Sequence, residues 1–302
     1  QHDHNLFDAV RGVTKSIRSN TNGAQTTDAQ DLKSFDSNGF TLGTNGGINE
    51  NNVTFASWNW KANGQGSSNT DGSINSTYTS ASTTSGFSIV TYTGTGSNAT
   101  VGHGLGVVPS SIWVKKLNST SDWRVYHKNL GATHYLALNQ AAGDSSGGEV
   151  VWNDTLPTSS VFTIGTDATV NAGSSTYVAY CFAEKTGFSK FSKYTGNGNV
   201  NGSFVYTGFK PAWIMIKRSD ASDNWWMFDN KRSSFNTVSS VLLPDNSAAE
   251  TSTSAKNMDF LSNGFKLRAT TTNFNGNGNL YVYWAFAENP FATSTGIPGL
   301  AR

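Results

Sequence analysis

The chain has 302 residues, enough for two or three domains with a sizeable core in each. Only 14% of them are charged, against roughly 25% in a typical globular protein, and 21 Lys+Arg balance 20 Asp+Glu to a formal net charge of +1, which argues against nucleic acid as a partner. A single cysteine excludes an internal disulfide framework and a cysteine-based zinc cluster, and no apolar run approaches the roughly 18 residues that a membrane span needs.

Residues 1–62 read as the second half of a module that recurs further on. LFDAVRG (6–12) matches MFDNKRS (227–233), FDSNGF (35–40) matches FLSNGF (260–265), and FASWNWKA (55–62) matches strands near the ends of the later copies. The first half is absent, so the expectation is a chain that begins within a repeat, as a C-terminal piece of a longer protein. DAVRGVTKSIRSN (8–20) is the one stretch with the pattern of a helical turn or two. Residues 63–85, rich in Ser, Thr, Asn and Gly, read as a polar linker in which Asp71-Gly72 can close a hairpin, with little core of its own.

Two complete modules follow, 86–186 and 187–288. From Tyr92 and Tyr194 they run in register at an offset of 102, which pairs Pro109 with Pro211, Ile112 with Ile214, Lys115 with Lys217 and Trp123 with Trp225. Short alternating or β-branched and aromatic runs such as IWVKK, WIMIKR and TYVAYCF, separated by Gly, Asn, Ser and Asp clusters, predict strands throughout. The expected fold is all-β: tandem antiparallel β-sandwich-like modules of about 100 residues, the first incomplete. Residues 289–302, with Pro290 and Pro298, read as an extended C-terminal tail.

YVAYCFAE (177–184) holds the lone cysteine, and YVYWAFAE (281–288) copies it with Ala285 in place of Cys181. Alternation puts Val178, Tyr180 and Phe182 on one face and Tyr177, Ala179 and Cys181 on the other. The large aromatics, matched by Trp284 and Phe286 and by Trp58 and Trp60, mark the face expected to look into the core, which leaves Cys181 as a small packing residue on the opposite face.

The histidines His2, His4, His103, His127 and His134 form no recurring set and read as exposed loop or terminal residues. Glu184 and Glu288 recur but stand a module apart, too far to act as a glycosidase pair. Asp8 with Arg11 and Asp229 with Arg232 read as salt-bridged turns. No phosphate loop, metal-ligand spacing or nucleophile elbow appears, so no catalytic residue, metal or cofactor is assigned. Trp226, whose counterpart is Arg124, is the leading candidate for an exposed ligand contact, with Trp225, Tyr126 and His127 beside it.

The ordered series GFSIVTYTGTG, HGLGVVPSSIWVK, FDAVRG, FDSNGFTLG and WNWKA resembles a repeated domain of unknown function found in marine bacteriophage tail-fibre-like and virion structural proteins. The resemblance covers nearly the whole chain. It implies a non-enzymatic virion component in the tail or on the outer surface, contributing to host attachment. It also implies a homo-oligomer, a trimer by the habit of fibres, with other virion proteins and a host surface glycan as partners. Two other roles stay open at this point: a tail polysaccharide depolymerase, and a purely architectural capsid-decoration or filament subunit without ligand.

Overall fold

The computed structural model describes residues 2–287. The fold is all-β, with antiparallel sheets and, among the described residues, no helix longer than four residues. None of the described helices is long and apolar enough to cross a membrane. The described residues divide into two compact units: 2–126, 130–139 and 146–183 form the first, and 127–129, 140–145 and 184–287 form the second.

Unit 1 is built on a five-stranded sheet in the order Arg124–His127, Ser111–Lys116, Thr176–Phe182, Phe87–Thr93, Tyr78–Ser82. The central strand pairs Tyr177 with Tyr92 and Cys181 with Ser88 on one side, and Ala179 with Val114 and Cys181 with Ile112 on the other. A two-stranded ladder, Ala99–Gly102 with Val161–Ile164, lies over one face. The core between them gathers Val90, Tyr92, Val101, Val114, Phe162 and Trp152 around Tyr177, Ala179 and Cys181.

Unit 2 has a four-stranded sheet in the order Ser189–Thr195, Leu280–Ala287, Pro211–Arg218, Trp225–Asp229. A three-stranded sheet, Phe204–Tyr206, Gly264–Leu267, Met258–Leu261, accompanies it. Its core includes Ile214, Ile216, Trp226, Phe265, Tyr281, Tyr283 and Ala285. In unit 1 the last strand of the main sheet in chain order, Thr176–Phe182, lies between Phe87–Thr93 and Ser111–Lys116, and in unit 2 the last, Leu280–Ala287, lies between Ser189–Thr195 and Pro211–Arg218.

The inner faces share a polar fixture. Tyr92 Oη donates to the Val170 carbonyl at 2.8 Å, and Tyr194 Oη to that of Phe274 at 2.6 Å. Beside them the buried Asn171 donates to the carbonyls of Ser97 (2.6 Å) and Gly165 (2.7 Å) and accepts from Thr95 N–H at 2.8 Å. Asn275 does the same with Asn199, Ala269 and Asn197. An amide side chain is needed because only it offers two donors and an acceptor in one plane to three loop backbone groups.

Several expectations are corrected here. The face of Tyr177, Ala179 and Cys181 is the core face, and Tyr180 and Phe182 point the other way. Both faces of this strand are buried, so the size of the aromatics did not mark the core. Residues 8–20 form no helix: Asp8 caps the turn through the N–H groups of Val10 (3.0 Å) and Arg11 (2.7 Å), but Gly12 (φ 92°) and Thr14 (φ 68°) then take the left-handed region and send the chain into the strand Lys15–Arg18. FASWNWKA forms no ladder and runs without strand structure, with Trp58 and Trp60 half-buried. Residues 63–85 do contribute to a core: Tyr78–Ser82 adds the fifth strand, Ile74 lies in the hydrophobic cluster, and the chain doubles back so that Ser67 bridges Thr79. Residues 288–302, with Glu288 and the expected tail, lie outside the described residues.

Two outcomes follow from this core. Cys181, whose thiol burial pushes up to about 12, stays unmodified by a thiol reagent until the chain is denatured, and Cys181→Ala costs no more than about 1 kcal/mol in a denaturant melt. Asn171→Ala, which orphans three backbone groups, costs about 3 kcal/mol in the same experiment.

Candidate functional site

The outer faces of the two main sheets carry the most unusual chemistry of the chain. In unit 1 the alternation that sends Ile112 and Val114 into the core sends Trp113 and Lys115 outward. There Lys115 is 0% exposed, as is Lys217 in unit 2. A fully buried lysine must find acceptors or lose its proton.

Lys115 Nζ donates to the carbonyls of Asn22 (3.1 Å) and Ser121 (2.7 Å). Trp123 Nε1 donates to the Arg18 carbonyl at 2.9 Å. Tyr180 Oη donates to Asp8 Oδ2 at 2.7 Å, while the same carboxylate holds Arg11 Nε at 2.5 Å and Arg11 Nη2 reaches the Tyr180 oxygen at 3.3 Å. Burial holds the Tyr180 hydroxyl well above the usual phenol range, so it remains a neutral donor. Two edge hydrogen bonds complete the attachment, Gln25 N–H to Leu117 O at 2.9 Å and Ser121 N–H to Asn22 O at 2.8 Å. Residues 8–25 therefore act as a strap across an aromatic face on which Trp123 stacks with Tyr180 and Trp113 leans on Phe182.

Unit 2 repeats the arrangement with other letters. Lys217 Nζ donates to Ala141 O (3.1 Å) and Arg218 O (2.8 Å), and Trp225 Nε1 donates to Gln140 O at 3.2 Å. The edge bonds are Asp144 N–H to Ser219 O at 2.8 Å and Asp223 N–H to Ala141 O at 2.7 Å. The place of Asp8 is taken by His127, whose ring meets Trp284 edge-on at 4.8 Å. His127 Nδ1 accepts from Asn129 N–H at 3.2 Å and Nε2 faces the Tyr283 carbonyl at 3.4 Å, a pattern that fixes the neutral Nε2–H tautomer.

Burial sets the charge states. It brings Lys115 and Lys217 down to about 8, opposed by Asp122 for the first and by Asp245 and Asp223 for the second. It lowers His127 to about 3, partly offset by the Tyr283 carbonyl. It raises Asp245 to about 6, partly offset by the Trp225 N–H that its side chain accepts at 3.1 Å. The faces are thus fasteners whose ionisable groups are committed to main-chain partners.

The four expected contact residues are all buried. Trp226 lies in the unit 2 core at 5% exposure, its Nε1 on Asp223 Oδ1 at 3.2 Å and the Lys256 ammonium 4.7 Å from its ring centre. Trp225 lies under the strap of unit 2, His127 belongs to that strap and faces Trp284, and Tyr126 packs edge-on against Trp152 in the core of unit 1. Trp226 sits inside because alternation from the strap-facing Trp225 turns it toward Phe228 and Phe274. The reading of the histidines as exposed fails for His103 and His127, both fully buried. Both Asp-x-x-Arg turns form their ion pairs, at 2.5 and 2.6 Å. Glu184 holds Lys128 at 2.7 Å and the Phe191 N–H at 2.8 Å. The lysines were overlooked as site residues, although their recurrence at an offset of 102 amid apolar residues was the available signal.

A family model described as domain of unknown function (DUF7483) matches residues 1–290. No curated protein and no solved structure matches the chain.

The strap of unit 2 has a pH signature. A group held below its unfolded value makes the folded state bind fewer protons, so His127 stabilises less as pH falls from about 6.5 toward 3; Asp245, held above its unfolded value, works in the opposite sense between about 6 and 4. Replacing His127 with Phe removes the first contribution only. The difference between the wild-type and His127→Phe unfolding free energies is therefore expected to shift by about 2 kcal/mol between pH 7 and pH 5 in favour of the variant, read from denaturant melts.

Proposed function

The chain belongs to the family described as a domain of unknown function, DUF7483, and on that premise we propose that it is a non-enzymatic structural component of a bacteriophage virion, a tail-fibre or surface protein that contributes to host attachment. The observation that carries the reading is the fastening itself. The outer face of each main sheet is closed by a strap whose carbonyls satisfy a buried lysine and an indole. That is an investment in mechanical integrity, as a component that bears load on a particle requires. The weakly charged, hydroxyl- and amide-rich composition supports a role at an exposed surface.

The chain works as a homo-oligomer among other virion proteins, with a glycan of the host surface as the attachment ligand. Exposed β edges favour assembly, and closure into an oligomer covers them. The aromatic contact with the glycan falls to Phe204 and Tyr206. They project from the same side of one short strand with 46% and 64% of their surfaces exposed, which suits stacking on a sugar ring.

The fluorescently labelled full chain is expected to bind host cells, and Tyr206→Ala to weaken that binding at least tenfold while leaving the unfolding midpoint unchanged. Incubation with host polysaccharide releases no new reducing ends. A monodisperse monomer that associates with neither virions nor cells contradicts the proposal.

A further inference from the structure

Unit 2 contains a third strap. Around Asp229 it reproduces, bond for bond, the turn around Asp8. Asp229 accepts from the N–H groups of Lys231 and Arg232, both at 2.9 Å, and from Arg232 Nε at 2.6 Å. Arg232 Nη2 donates to Met227 O as Arg11 Nη2 donates to Leu6 O, and Arg232 Nη1 holds Glu250 at 2.8 Å as Arg11 Nη1 holds Gln25 at 3.2 Å.

The strands behind the turn correspond as well. Lys15 pairs with Thr27 and Ser16 with Thr26, as Ser240 pairs with Ser252 and Val241 with Thr251. Asn20 Oδ1 accepts the His4 N–H at 3.1 Å, Asn139 Oδ1 that of Trp123 at 3.0 Å, and Asp245 Oδ1 that of Trp225 at 3.1 Å. These anchors place Ser247 where Asn22 and Ala141 stand, and Glu250 where Gln25 and Asp144 stand.

In the two filled straps the carbonyl at the first position and the N–H at the second bind the edge of a sheet and its lysine. Among the described residues the Ser247 carbonyl and the Glu250 N–H have no hydrogen-bond partner, and the neighbouring Phe235 is 86% exposed where the first strap carries Thr14. A buried-type turn with its edge unfilled and a large ring in water is a surface shaped for a cover.

We propose that residues 229–250 form a docking surface for the outer face of another β-sheet of the kind seen in both units, one that presents a central lysine, a tryptophan and a second aromatic ring. The occupant is identified by what the two filled straps hold. Within each unit the sheet face is already covered, and residues 288–302 hold neither Lys nor Trp, so the occupant is a β-sheet of this kind from outside residues 1–302. The chain itself carries such a face, Lys115, Trp123 and Tyr180, which a second copy can reach only when that copy's own strap is released, because a tethered strap competes at a high effective concentration.

Sedimentation velocity of the full chain provides the test, with a second copy as the probe. Asp8→Ala with Asn20→Ala loosens residues 8–25 and is expected to add to the wild-type species larger multimers that grow with concentration. Adding Glu250→Pro, which removes the unpartnered N–H at an exposed position, returns the loosened chain to the wild-type distribution. Since the loosened variant could associate through nonspecific exposure, Ser121→Cys and Ser247→Cys on that background supply a second readout: intermolecular disulfides between the two positions are expected under mild oxidation. A loosened chain that sediments as the wild type does, larger multimers that persist with Glu250→Pro, or the absence of that disulfide in the larger multimers overturns the proposal.

Discussion

Two buried ammonium groups govern how this protein is put together. Bringing a lysine out of water costs several kcal/mol unless its protons are met, and the outer face of a β-sheet has no acceptors to spare because its carbonyls are committed to the ladder. Lys115 and Lys217 are met by carbonyls from a strap, Asn22 in one unit and Ala141 in the other. The strap and the sheet are therefore conditions for each other. Without the strap the lysine would have to stand in water, and the rings of Trp123 and Tyr180, or of Trp225 and Trp284, would be uncovered with it.

The same dependence explains why chemically different residues serve at one place in the two units. Where the sheet offers a phenol, Tyr180, the strap answers with a carboxylate, Asp8, that also holds Arg11. Where the sheet offers an indole, Trp284, the strap answers with a neutral imidazole, His127. A carboxylate facing an indole there would lack a hydroxyl donor in a site closed to water, and burial keeps the imidazole uncharged. The inner faces tolerate less variation. Tyr92 with Asn171 and Tyr194 with Asn275 make the same bonds to their loops, because three main-chain groups must be satisfied in both units.

Much of this was legible from periodicity. Alternation located the strands, and the Asp-x-x-Arg spacing disclosed the turns at Asp8 and Asp229. The failures share a cause. Alternation divides a strand into two faces but does not say which faces the core when both are dry, and in Thr176–Phe182 every residue after the first is buried. Size then misleads, since the larger rings of Tyr180 and Phe182 lie under the strap and the smaller Cys181 and Ala179 lie where two sheets approach closely. Trp226 was misplaced because its counterpart, Arg124, is polar; the two need not share an environment when the loops beside them differ. Residues 63–85 looked like a linker because hydroxyl-rich sequence has little apolar content, yet an edge strand such as Tyr78–Ser82 needs only backbone pairing on one side.

What the sequence determined by itself was the class of fold, the position of most strands and the correspondence of Lys115 with Lys217 and of Trp123 with Trp225, because each is a matter of local pattern and spacing. Which face of each sheet became core, that His127 would be buried and neutral, and that residues 229–250 would be left as an unfilled strap were decided only in the tertiary structure. Those outcomes depend on which segment, distant along the chain, supplies the carbonyls for a buried ammonium, and no local pattern encodes a partner that far away.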